Sequence, residues 1–548
     1  MYLNNQELFN PENMQKLNSA GIKPVNYDRF AVIERTKKAP TWVHFGAGNI
    51  FRAFLARACQ EMLEQGVSDT GVIAAEGFDY EIIDKAFTPY DNLFILVTLK
   101  SDGNVEKTAV ASITEALKAN SEHEDFTRLR EIFRAESLQM ASFTITEKGY
   151  LLQNSAKETP PDILYDFENG AEKPRSYMGR VTALVYERYK HFANTARAGS
   201  ALALVSMDNC SHNGDKLKAA VFAFAEKWEA AGLVQKGFVD YLNTKVSFPW
   251  SMIDKITPGP HKDVKKSLEE AGLYGMEPIV TSKNSYAAPF VNAEEAEYLI
   301  IEDNFPNGRP PLDKTGKTGI IFTDRETVDK TEKMKVCTCL NPLHTALAIF
   351  GCLLGFTKIS EEMKDTDLKK LAEKIGYKEG LPVVINPGII SPEKFLEEVI
   401  NIRLPNPFLP DAPQRIATDT SQKLPIRFGE TIKAYLNRSD LDIKNLKLIP
   451  LVFAGWLRYL LGIDDNGKSM EVSPDPLLLV LNSHLRHIKF NEENPDFRHY
   501  LKPILEDANI FGVNLYEAEL GEKVEELFAE LMSGTGAVRR TLQKYINM

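Results

Sequence analysis

The segment TWVHFGAGNIFRAF, residues 41–54, constrains the fold of this chain more than any other stretch. Trp42, Val43 and Phe45 make a strand-like start that runs into Gly46-Ala47-Gly48 and then into a helix-like sequence. Gly46 permits a tight turn. Gly48 lets a backbone approach a pyrophosphate seated on the N-terminus of the next helix. The third glycine of the usual pattern packs helix against strand, and here that position is Phe51. Any strand–turn–helix can carry two such glycines. Position favours the nucleotide reading, because the turn follows the first strand of an alternating α/β half.

The alternation continues. A helix is expected from Asn49 to about Gln65, then a short buried strand, GVIAAEG (71–77). FILVTLK (94–100) and KTAVASI (107–113) bracket SDGN as a hairpin, and LQMASFTIT (138–146) is a further strand. A helix at 181–195, the strand SALALVSMD (200–208) and a helix from Asn213 to about Gly232 follow. Such units predict a mostly parallel sheet with helices on both faces. From about 325 the texture changes to helix-period segments at 327–356, 359–376, 392–402, 427–438, 445–463 and 521–546. The expected division is therefore a polar, irregular surface extension over 1–40, a Rossmann-type α/β domain over 41–325, and a mostly α-helical domain over 326–548. GRPPLDKTGKT (308–318) marks the junction.

The cofactor-binding candidates are Phe45, Gly46, Ala47, Gly48, Asn49, Phe51, Arg52, Glu76 and Thr146. Arg52 would add charge toward a phosphate. Glu76 ends its strand, with Asp79 close behind; an acid there can hold a ribose hydroxyl and repel a 2′-phosphate, which favours NAD(H). At 548 residues the chain is too long for one ordinary core. Its net charge of −11 argues against a general affinity for nucleic acid or anionic membrane, but leaves room for a local basic pocket. No secretory leader is visible at the N-terminus. The apolar run Leu343–Phe356 is too short to span a bilayer and reads as a buried helix. Five scattered cysteines suggest no disulfide framework, so a cytoplasmic setting is expected.

Polar clusters fall where ligands bind in such sheets, at the carboxyl ends of strands. SFTITEKGY (142–150) delivers Thr146 and Glu147; SMDNCSHNGD (206–215) delivers Asp208, Asn209, His212 and Asn213. Asn213 also suits a plain helix N-cap. Asp254 sits among apolar residues in SFPWSMIDKITP (247–258), and a buried carboxylate needs a partner. In KMKVCTCLNPLHTALAIFGCLLGF (333–356), Asn341 and His344 share a helix face. Apolar surroundings there would let a lysine act as a base. Cys337 and Cys339 have the wrong spacing for structural zinc, and no metal is expected.

HFGAGNIFRAF, TITEKGY, DNCSHNGD, FPWSMIDKITP, IEDNFPNGRP, LNPLHTALAIFG and RIATDTSQKLP occur in this order over roughly 40–545. Together they resemble the polyol-specific long-chain dehydrogenases, the mannitol dehydrogenase family. The Asn-Pro-Leu-His form of the helix motif is most similar to the fructuronate reductase branch. The resemblance implies a Rossmann domain, a helical domain, a cytoplasmic monomer or small homo-oligomer, and metal-independent hydride transfer between NAD(H) and a ketose or keto-sugar acid. It implies a catalytic lysine with Asn341 and His344. It also implies Asn209, Asp254, Arg415 and Lys423 as substrate-binding residues. The family spaces lysine and asparagine by four residues, whereas Lys335 and Asn341 here are separated by five. On an ideal helix, at ~100° per residue, the extra residue turns Lys335 away from His344. A π-bulge could absorb it; so could a break at Pro342. Lys333 is the rival. Reduction of D-fructuronate to D-mannonate leads. The alternatives are mannitol 2-dehydrogenase and tagaturonate reductase activity, or, from another class, an NAD-binding sensor without turnover.

Overall fold

The computed structural model describes residues 1–154, 156–193, 200–316, 319–491 and 496–548. Residues 194 and 195 of the expected helix 181–195, and 317 and 318 of the expected junction, lie outside them. The chain divides into two compact units. One holds Met1–Lys100 and Asn104–Asp329, the other Ser101–Gly103 and Lys330–Met548.

The first unit is built on six parallel strands: β1 (Trp42–Phe45), β2 (Val72–Glu76), β3 (Ile113–Lys118), β4 (Met140–Phe143), β5 (Leu202–Ser206) and β6 (Val246–Ser247). Their order across the sheet is β3-β2-β1-β4-β5-β6. This is the doubly wound order, and the strand sequence reverses direction between β1 and β4. Alternate residues serve the two faces. Val43 and Phe45 enter one core with helices Asp125–Arg134, Tyr177–Phe192 and Asn213–Ala230, while Trp42 enters another with Phe51, Phe54 and Met62. Burial on both faces explains why β1 and β2 carry almost no exposed residue.

The hairpin pairs Phe94–Leu99 with Val105–Val110, as expected, and sits in a separate four-stranded sheet. The first forty residues correct the sequence reading. They form helices Pro11–Ser19 and Arg29–Lys38, and Ile22–Lys23 adds a parallel strand beside Val105–Val110. Arg29 is buried and donates to the carbonyls of Ala111, Ile113 and Asp91, which makes this segment part of the first unit.

The second unit is helical around Asn341–Leu353, most of whose residues are fully buried. Arg325–Leu353 has the length and hydropathy of a membrane span, but 72% of its apolar window is buried, as in a core helix. Glu379 accepts from three backbone N–H groups, those of Lys447, Leu448 and Ile449, at 2.7, 2.7 and 2.8 Å. It thereby caps helix Leu448–Tyr459 from a distance.

Glu362 packs against Gly351 of the central helix, where a Cβ would collide with its carboxyl. Neither oxygen has a hydrogen-bond partner, and burial, helped by the charge of Asp365, pushes this carboxyl up from 4.5 to about 9. Between those values the folded state holds a proton that the unfolded chain releases, so stability falls as pH rises. Glu362→Gln is expected to stabilise the protein by on the order of 3 kcal/mol at pH 7. The gain should shrink toward pH 4.5. Thermal unfolding of both proteins across pH 5–9 checks this, and a pH-independent difference would contradict it.

Candidate functional site

The glycine turn lies at the carboxyl end of β1, beside the point where the strand order reverses. Gly46 has φ +109°, and a Cβ there would fall on the Thr144 carbonyl of the adjacent β4 loop. A Cβ at Gly48 would meet nothing within 4 Å. One glycine is thus required by the fold, and the other leaves open space beside the turn. The helix that follows runs over 49–64, and its stretch Phe51–Ala56 is a π-helix. Phe51 takes the place of the third glycine by stacking on His44, with ring centroids 4.3 Å apart and planes at 5°. Burial pushes His44 down to about 3, so the ring is neutral. It is held by Ser142 and Thr144 at 2.7 and 2.8 Å.

Arg52 corrects the expectation of a phosphate contact. Its side chain is buried, donates to the Ala288 carbonyl and Asn49 Oδ1, and lies over Phe87 and Phe94. Burial lowers its guanidinium to about 10. Glu76 is placed at the turn as expected, yet its carboxylate is largely committed. Oε2 accepts the Ala47 N–H at 2.9 Å, and Oε1 accepts those of Phe78 and Asp79 at 2.7 and 3.0 Å. It braces the turn against the end of β2 and leaves little capacity for a ribose hydroxyl. Asp79, also buried, accepts from the Thr281 hydroxyl at 2.6 Å.

At the end of β5, Asn209 is exposed and Asp254 buried, the latter closing strand Ser251–Asp254. Asn213 is not the N-cap; His212 is. The Asn213 amide instead ties the Asp208 carbonyl to Ser251, at 2.9–3.0 Å. His212 stacks on Trp250 at 4.1 Å.

In the second unit, residues Met334–Cys339 form a π-helix, with an i→i+5 bond from Leu340 N–H to the Lys335 carbonyl at 3.1 Å. A fresh helix then starts at Asn341 with Pro342 in its first turn. Both devices that could absorb the extra residue are therefore present. Lys335 is buried at 3% exposure, whereas Lys333 is exposed. His344 Nε2 is buried and faces Asp411 Oδ2 at 3.4 Å. Asp411, which sequence reading missed, also accepts from Arg415. Burial alone would raise the Asp411 carboxyl, but His344 and Arg415 outweigh it and hold it below the usual range. Lys423 is not a solvated surface lysine. It donates to the Ile416 and Thr418 carbonyls, and burial, reinforced by Arg427, lowers it to about 8. Arg427, also missed, donates to Thr345 Oγ1 at 2.6 Å and to the Asn341 carbonyl at 3.4 Å. Among the described residues no group of three or more His, Cys, Asp or Glu is placed to hold a metal.

Two family models match the chain: the mannitol dehydrogenase Rossmann domain over residues 40–314 and the mannitol dehydrogenase C-terminal domain over 327–532. The chain belongs to the mannitol dehydrogenase family. Within the family it is similar to D-mannonate oxidoreductase of Thermotoga maritima, at 57% identity over 96% of each chain. Mannitol dehydrogenase 2 of Saccharomyces cerevisiae is 27% identical over 86% of this chain and 89% of its own. Among solved structures, Pseudomonas fluorescens mannitol 2-dehydrogenase in ternary complex with NAD and D-mannitol shares the fold. Its TM-score is 0.69, with 24% identity and full coverage of both chains. Substrate-free D-sorbitol dehydrogenase shares it with a TM-score of 0.76, at 22% identity over 98% of this chain and 100% of that one.

Proposed function

We propose that this family member catalyses the reversible, NAD(H)-dependent reduction of D-fructuronate to D-mannonate. The observation that carries the reading is the near full-length 57% identity to a D-mannonate oxidoreductase. The first unit fits a dinucleotide. A doubly wound sheet places a glycine turn at its switch point, Gly48 leaves open space there, and a helix N-terminus follows. NAD(H), when bound, supplies or accepts the hydride. The Glu76 charge at the end of β2 disfavours a 2′-phosphate.

In reduction, the Lys335 ammonium gives a proton to the ketone oxygen at C5 as that oxygen gains negative charge. Asn341 and His344 hydrogen-bond the same oxygen. Arg415 and Lys423 hold the substrate carboxylate, Arg415 with the N–H groups that Asp411 leaves. Asn209 and Asp254 bind hydroxyls. In oxidation Lys335 takes the proton back.

NADH oxidation with fructuronate, tagaturonate and fructose in parallel tests the reading. Fructuronate is expected to be preferred. Because burial lowers Lys423 to about 8, KM for fructuronate should rise above that pH and level off where Arg415 alone holds the carboxylate. KM for fructose should show no such rise. Preference for fructose would sink the uronate reading, and NADH binding without turnover on any of the three would favour a sensor.

A further inference from the structure

Beyond β4 the chain runs through Thr144, Ile145 and Thr146. Thr146 has φ +64° and ψ 159°, a region that β-branched residues avoid. Such a conformation persists only where its surroundings impose it. Here the Thr146 carbonyl accepts the Gly149 N–H, and the N–H groups of Ile145 and Thr146 are held by one side chain on the neighbouring strand end. Asp208, just beyond β5 and 7% exposed, accepts the Thr146 N–H on Oδ1 at 2.7 Å and the Ile145 N–H on Oδ2 at 3.0 Å. The Tyr150 hydroxyl donates to Oδ2 at 2.5 Å. From behind, the Asp208 carbonyl is held by Asn213, itself bonded to the main chain and hydroxyl of Ser251. The clamp is anchored on both sides.

The same loop supports the glycine turn: the Thr144 carbonyl occupies the position a Gly46 Cβ would need. One wall of the switch-point crevice is the glycine turn, and the other is the β4 loop whose shape Asp208 imposes. We propose that Asp208 is a positioning residue for the cofactor, clamping the β4 loop in a strained conformation that completes the dinucleotide crevice. The proposal rests on the dinucleotide reading above. A glycine at 146 would adopt this φ without strain and would depend far less on the clamp than threonine does.

The test is a mutant cycle read by NADH dissociation constant, from the fluorescence of bound NADH on the full chain. Asp208→Asn keeps the volume but replaces one accepting oxygen with a donor that cannot meet an N–H. It is expected to weaken NADH binding at least tenfold. In a Thr146→Gly background the same substitution should cost less than threefold, because the clamp then has no strain to hold. An unchanged Asp208→Asn affinity, or an equal loss in both backgrounds, would overturn the proposal. If Asp208→Asn alone fails to fold, the Thr146→Gly/Asp208→Asn protein carries the test. Folding and NADH binding by that protein support the clamp, and failure to fold refutes it. Absence of NADH binding by the unmutated protein would instead overturn the dinucleotide reading itself.

Discussion

Lys335→Met is expected to lower kcat/KM for fructuronate by a factor of about 10²–10⁴, the usual contribution of a general acid–base group. Methionine matches the lysine's alkyl stem without the ammonium and suits a site with 3% exposure, so the fold and the NADH dissociation constant should change little. Lys333→Met, at an exposed position, should leave turnover within about twofold, as surface substitutions ordinarily do. The pair decides between two registers. His344 lies nine positions after Lys335, and on an unbroken α-helix, at ~100° per residue, that is half a turn out of phase. The i→i+5 bond from the Leu340 N–H to the Lys335 carbonyl takes up one residue, as the Lys335 register requires. Steady-state kinetics with saturating NADH measures both variants. Loss of activity in Lys333→Met with survival of Lys335→Met would refute the π-turn argument.

The π turn was legible because a spacing had to be reconciled: five residues lie between Lys335 and Asn341, where the resemblance implies four, and that demands either a bulge or a break. The strand–helix alternation was legible for a different reason. Strands buried on both faces read as apolar runs, and β1, β2, β4 and β5 all do. β3 escaped notice because it lies at the sheet edge, and ITEALK carries Glu115 and Lys118 there.

Side-chain direction was the less legible part. Arg52 stands in the first turn after the glycines, where charge toward a phosphate is the natural expectation. Its fate is set by the carbonyl of Ala288, 236 residues away. Glu76 looks free at a strand end until the Ala47, Phe78 and Asp79 amides converge on it. The polar N-terminal segment reads as an extension because the hydrogen bonds Arg29 makes outside that segment are with main-chain carbonyls, which leave no trace in sequence. The positive φ of Thr146 has no signature at all, since nothing about threonine invites it. Asp411 could have been found from its i,i+4 spacing to Arg415, a pairing that helices favour, but only if a helix had been expected at DAPQRI.

Gly46→Ala is expected to abolish measurable NADH binding, a loss of at least about 100-fold, or roughly 3 kcal/mol. Two independent constraints combine. At φ +109° an L-residue is strained wherever it sits, and the added Cβ would also lie far inside the 3.0 Å that real Cβ atoms keep from the Thr144 carbonyl oxygen. That oxygen belongs to the backbone just beyond β4, which cannot rotate aside as a flexible side chain would. Relief must come from separating the ends of β1 and β4, the two strands that bound the crevice. The melting temperature should fall with the affinity. Gly48→Ala supplies the contrast. Its Cβ meets no protein atom within 4 Å, and its φ is not in the left-handed range, so the melting temperature should stay within about a degree or two. NADH binding should still weaken about tenfold, because the methyl enters the space through which a pyrophosphate approaches the backbone. Calorimetric melting and NADH titration of the two variants therefore separate a glycine that the fold requires from one that the ligand requires. If Gly48→Ala binds NADH as tightly as the unmutated protein, the pyrophosphate lies elsewhere and the turn is only the joint between a strand and a helix.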